Sequence, residues 1–98
     1  MKSSTAEIKE LLKNNQFYKT QAVNGLGGIG LPEKLAFIDN AIQVLGEPDN
    51  KLMKGVFIDG MTVAYVARRD HCTRQTVYNR CEKIIEMIAI VYEMQFGT

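Results

Sequence analysis

Apolar residues recur along this chain at the three- and four-residue spacing of a helix face, punctuated by short polar or glycine-rich breaks. Ser4-Thr5-Ala6-Glu7 reads as a capping box, in which a hydroxyl and a carboxylate satisfy the free amides of a helix start, and Ile8, Leu11, Leu12 and Tyr18 follow at helical spacing. A first helix is predicted over residues 6–19, weakened where Lys13-Asn14-Asn15-Gln16 interrupts its stripe and so apt to fray or rest on a partner. Pro32, suited to a first helical position, opens a second helix with Leu35, Ile38, Ile42 and Leu45 as core stripe, widened by Ala36, Phe37, Ala41 and Val44 and stopped at Gly46. Asp49 or Asn50 can cap a third, residues 51–58, which offers Leu52, Met53, Val56 and Phe57 before Asp59-Gly60 ends it. Thr62 caps a short helix whose Val63, Val66 and Ala67 share a face. After the tight turn Asp70-His71-Cys72, Thr73 caps another with Val77 and Cys81 one turn apart. That last helix continues through Ile84, Ile85, Ile88, Val91 and Tyr92 to about residue 95, giving an all-α, small helical domain with a long C-terminal helix.

Met87, Ile90 and Met94 lie off the stripe of the last helix, so it is apolar on most sides and must be covered on most sides. Burial against a second copy is one answer, with Ile84, Ile85, Ile88, Val91 and Tyr92 as the dimerisation residues. Cover by the first two helices of the same chain is the other. Glu86 and Glu93 interrupt the run too early for a membrane span.

The polar side of residues 62–80 has its own pattern. The two short helices and their turn form a helix-turn-helix, with Ala67 small enough to allow a close crossing. On its second helix Arg74, Gln75, Thr76, Tyr78, Asn79 and Arg80 are not needed for packing, and nearly all are long or planar hydrogen-bonding groups. Arginine can pair bidentately with guanine, Gln or Asn with adenine, and a Thr methyl can meet a thymine methyl. Residues 61–83 carry Arg68, Arg69, Arg74, Arg80 and Lys83 against Asp70 and Glu82, whereas residues 1–60 balance and the tail from Ile84 is acidic. The positive field is local to this segment. A solvated helix face is the plain alternative for such charges, and Arg80 can instead lay its stem along the core edge.

The pattern Thr62-x-x-x-Val66-Ala67-x-x-x-x-Cys72-Thr73-Arg74-Gln75-Thr76-Val77-Tyr78, with Phe57 and Gly60-Met61 just ahead, resembles the region-four helix-turn-helix of bacterial sigma factors, and is most similar to small phage and prophage late-gene regulators. It covers roughly residues 35–89. The resemblance implies a sequence-specific, double-stranded DNA-binding transcription regulator encoded by a phage or other mobile element, with Thr73, Arg74, Gln75, Tyr78 and Asn79 opening the recognition helix. Two positions depart from the family: His71 stands where Gly or Asp is common, and Asp70 where an apolar residue is usual.

Composition narrows the rest. Ninety-eight residues bury a modest core, 46% apolar content argues against disorder throughout, and a net charge of +1 makes the clustering of arginines more informative than their total. The first fifteen residues are polar and contain lysines, so no signal peptide is expected, and the two cysteines are expected as reduced thiols in a cytoplasmic protein. Gly25-x-Gly27-x-x-Gly30 matches the dinucleotide fingerprint in form, but that motif needs a strand before it, and a flexible linker is the simpler reading. His71, Cys72 and Cys81 are too few for a structural zinc site. No cofactor, metal or catalytic constellation is expected.

The organisation read from the chain is an N-terminal helix and glycine-rich linker over residues 1–30, then a helix-turn-helix DNA-binding domain with a C-terminal dimerisation helix over residues 31–98. The expected DNA contacts are Arg68, Arg69, Thr73, Arg74, Gln75, Thr76, Tyr78, Asn79, Arg80 and Lys83. The expected partners are DNA and a second copy, with RNA polymerase a further one and no membrane. The rival reading is a protein-interaction adaptor, binding polymerase or serving as a small packaging subunit, in which the helix pair is scaffold. An enzyme binding a nucleotide is motivated only by the glycines and thiols.

Overall fold

Every regular element among the described residues, 4–28 and 30–97 of this computed structural model, is a helix. In order they are α1 (Ser4–Lys13), α2 (Asn15–Val23), α3 (Leu31–Gln43), α4 (Asp49–Met53), a π-helical turn (Lys54–Ile58), α5 (Val63–Arg69) and α6 (Arg74–Phe96). The all-helical expectation and the long last helix are therefore right. At 23 residues α6 runs roughly 34 Å, most of the molecule's 41 Å long axis. No helix among the described residues is long and apolar enough to cross a membrane.

One side of α6 is covered by the same chain. Ser4 Oγ donates to Glu93 Oε2 at 2.8 Å, and Lys9 Nζ pairs with Glu82 Oε1 at 2.6 Å, so α1 lies antiparallel along α6. Between those two pins Ile8, Leu11 and Leu12 enter a core with Ile84, Ile85, Ile88 and Tyr92. That core spans both sides of residue 30. Each such aliphatic burial stabilises by roughly 1.5–3 kcal/mol. Four of the five residues expected at a dimer interface, Ile84, Ile85, Ile88 and Tyr92, are thus buried within their own protomer, and Val91 alone of the five is exposed. Serine 4 also departs from expectation: it already lies in the helix, and its hydroxyl serves Glu93.

The predicted first helix divides in two at Asn14, where φ −112° and ψ 33° leave the helical region. Asn14 Nδ2 donates to Glu10 Oε2 at 2.7 Å, and Tyr18 Oη reaches the same oxygen at 3.2 Å. The Asn14 amide still donates to the Glu10 carbonyl at 3.1 Å, so α2 follows α1 without an intervening loop. The glycine segment then turns the chain from α2 into α3. Gly27 sits at φ +87°, and a Cβ there would run into Leu31 Cδ2, so this turn is packed, and no strand precedes it as the dinucleotide motif requires.

α3 buries Leu31, Leu35, Ile38 and Ile42. Its Phe37 ring meets Tyr92 and Phe96 edge-on, with centroids 5.6 and 5.7 Å apart, fastening the middle of α3 to the end of α6. Burial pushes the Tyr92 phenol well above its ordinary pKa, and the Glu7 carboxylate adds to the rise. The predicted third helix is a composite of α4 and the π-turn, and neither expected cap side chain caps it. Instead Asn50 Nδ2 donates to the Ile42 carbonyl at 2.7 Å, while Asp49 faces Arg80.

Candidate nucleic-acid interface

Two threonines frame the segment on which the sequence reading centres. Thr62 Oγ1 accepts the Tyr65 amide at 3.0 Å, and Thr73 Oγ1 accepts the Thr76 amide at 3.1 Å, each satisfying a free donor of the helix it starts. Val66, Ala67, Val77 and Cys81 are buried where α5 and α6 pack together. The chain between the two helices is a short turn, closed by the Cys72 amide on the Ala67 carbonyl at 2.9 Å. His71 takes φ +57°, the single left-handed non-glycine residue among those described, which gives a physical reason why a glycine suits this position. Cys72 is half-buried and packed against the core.

The ten residues expected to touch DNA fall into two groups. Arg68, Thr73, Arg74, Gln75, Thr76, Tyr78, Asn79 and Lys83 are exposed. Arg69 and Arg80 are committed elsewhere. The Arg69 guanidinium donates from Nε to Asp70 Oδ1 at 2.9 Å, from Nη2 to Asp70 Oδ2 at 3.2 Å and from Nη1 to Met61 Sδ at 3.4 Å. Gly55 makes this possible, because a Cβ there would lie 3.2 Å from Met61 Sδ and 3.4 Å from Arg69 Nη1. Arg69 is thus bonded to Asp70 and Met61 and packed against Gly55 of the π-turn, which leaves it less available than the eight exposed residues. Hydrogen bonding to Asp70 raises the Arg69 pKa and holds the Asp70 carboxyl below its usual range. Arg80 Nη2 stands 3.6 Å from Asp49 Oδ1, linking α6 to α4, so it too is half-buried and paired.

Gln75 Nε2 donates to Asn79 Oδ1 at 3.0 Å, across one turn of α6. Gln75 Oε1 can still accept and Asn79 Nδ2 can still donate, and both residues are exposed. Thr73 and Thr76 hydroxyls are bonded to each other at 2.9 Å. From His71 to Cys81 the chain contains no acidic residue, and Arg74 at the first position of α6 is exposed and free of any ion pair with the described acids. The result is a surface of donors, acceptors and positive charge at a helix N-terminus, where the helix dipole also favours anions.

Sequence reasoning missed the residues that α1 delivers to this surface. Lys9 and Lys13 line one groove with Tyr78 and Glu82, and no signal within residues 1–19 points to that neighbourhood. Among the described residues no group of three or more His, Cys, Asp or Glu side chains is placed to hold a metal ion. Away from this surface, Met87, Ile90, Val91 and Met94 are exposed on α6 beside a groove lined by Phe37, Ala41 and Val44. No family model, curated protein or solved structure gives a significant match to the chain.

Proposed function

We propose that this protein is a sequence-specific, double-stranded DNA-binding transcription regulator, acting in the cytoplasm of a bacterium and encoded by a phage, prophage or other mobile element. The observation that carries the reading is the exposed, acid-free face of the first two turns of α6, which presents Arg74, Gln75, Thr76, Tyr78 and Asn79 from a capped and cross-braced helix. Arg74 offers two donors to a guanine edge. With their mutual bond made, the Gln75 oxygen can accept from the adenine amino group and the Asn79 amide can donate to N7. Thr73, Arg68 and Lys83 set register on phosphates, while Arg69 and Arg80 hold the frame rather than the DNA.

Self-association is part of the same proposal, on a surface that keeps only Val91 of the five residues read in the sequence: the exposed strip Met87, Ile90, Val91 and Met94. That strip also favours the second reading, an adaptor that docks a protein such as RNA polymerase through apolar contacts and uses the helix pair as scaffold.

Selection of bound duplexes from a random pool at moderate salt separates the two. The regulator enriches a defined sequence, and Arg74→Ala relaxes it. Binding without enrichment, together with co-purification of polymerase, supports the adaptor and overturns the regulator.

A further inference from the structure

α1 and α6 are antiparallel, pinned by Ser4 on Glu93 and Lys9 on Glu82, so the C-terminal end of α1 arrives beside the reading end of α6. Between them, and bounded on its other side by the π-turn and the start of α5, runs a groove of about 290 Å³. Its floor is apolar, with Phe57 and Val63, and its rim carries Lys9, Lys13, Tyr78 and Glu82. The two lysines are four residues apart, hence on one face of α1. They are not equivalent. Lys9 is neutralised by Glu82 at 2.6 Å, while Lys13 is exposed and makes no ion pair with any described acid.

We propose that this groove seats the sugar–phosphate backbone of the duplex beside the recognition helix, with Lys13 contacting a phosphate and Tyr78 standing where backbone contact gives way to base reading. The inference rests on the DNA-binding reading and adds a second support 65 residues away in sequence from Tyr78. Its chemistry is that of a backbone: a cation for the phosphate at the rim, and apolar surface for the face of the sugar below it. Charge complementarity points to this occupant, because among the described residues lining the groove Lys13 is an unpaired cation and the acid, Glu82, is already matched. Lys13 closes α1, and Arg68 lies in the last turn of α5, so exposed cations near the proposed reading surface come from two different elements.

The experiment is a salt titration of binding to a fluorescently labelled mixed-sequence duplex by the full chain and three variants. Lys13→Gln is expected to lower the slope of log affinity against log salt by about 0.9, the release of one phosphate contact, with an equal loss on every sequence. Lys13→Glu loses more. Lys54→Gln, on a different pocket, keeps the wild-type slope. An unchanged slope for Lys13→Gln, or an equal fall for Lys54→Gln, overturns the groove assignment while leaving DNA binding intact. Wild-type protein with no salt-dependent binding overturns both. Thermal unfolding of Lys13→Gln at the wild-type midpoint checks that the variant is folded.

Discussion

Arg69 donates to both carboxylate oxygens of its own neighbour Asp70, at 2.9 and 3.2 Å, and this pair occupies the position where the chain departs from the sigma-like pattern. The acid at 70 holds an arginine that also reaches Met61 Sδ and packs against Gly55. Because hydrogen bonding from Arg69 lowers the Asp70 pKa in the folded state, the pair's stabilisation is fully present above the ordinary aspartate range near pH ~4. It is lost as pH falls through the folded value. Asp70→Asn should therefore cost up to about 1 kcal/mol at neutral pH, with the gap to wild type closing in acid. Urea unfolding at several pH values measures this, and a gap that persists unchanged in strong acid contradicts it.

Asn15 is 2% exposed, and neither amide atom has a protein partner among the described residues. Leaving such a group unpaired costs about 1–3 kcal/mol, so Asn15→Leu, similar in size, should raise stability by about that amount. A comparable loss of stability on denaturant unfolding would show that the amide is engaged.

What was legible in the chain is what local chemistry decides. Thr62 and Thr73 cap helices because a hydroxyl reaches an amide three residues on, and α6 runs unbroken because nothing in it stops a helix. The break at Asn14 falls within the Lys13–Gln16 interruption that the stripe marks, whereas the Glu10 carboxylate accepting from both Asn14 and Tyr18 is a contact that spacing does not give. Nor does spacing give the fate of Arg80, whose partner Asp49 lies on another helix. The over-apolarity of α6 is plain in the sequence, but that α1 covers one side of it is a tertiary fact carried by Ser4, Lys9 and their distant acids. The same packing hides Lys13's position from any reading by spacing.

Burial pushes the Cys81 thiol up to about 11, while Cys72 is only half-buried. The native protein should consume one equivalent of a thiol-specific disulfide reagent at mildly alkaline pH, at Cys72, and release the second only on unfolding. Equal rates at the two cysteines would mean that the α5–α6 packing opens readily.

The exposed strip on α6 gives the self-association prediction. Ile90→Glu with Val91→Glu should convert a sedimenting dimer to monomer while keeping thermal stability within about 0.5 kcal/mol per site, because both side chains are exposed. A wild-type protein that is monomeric at every concentration removes the dimer from the account.

The central claim is that the first turns of α6 read DNA, and amide chemical-shift mapping tests it most directly. On adding the duplex enriched from a random pool, shifts should concentrate from Thr73 to Lys83 and at Lys13, with Arg74→Ala weakening binding by about 1–3 kcal/mol. Shifts confined to Met87, Ile90, Val91 and Met94, or no shifts at all, would contradict it.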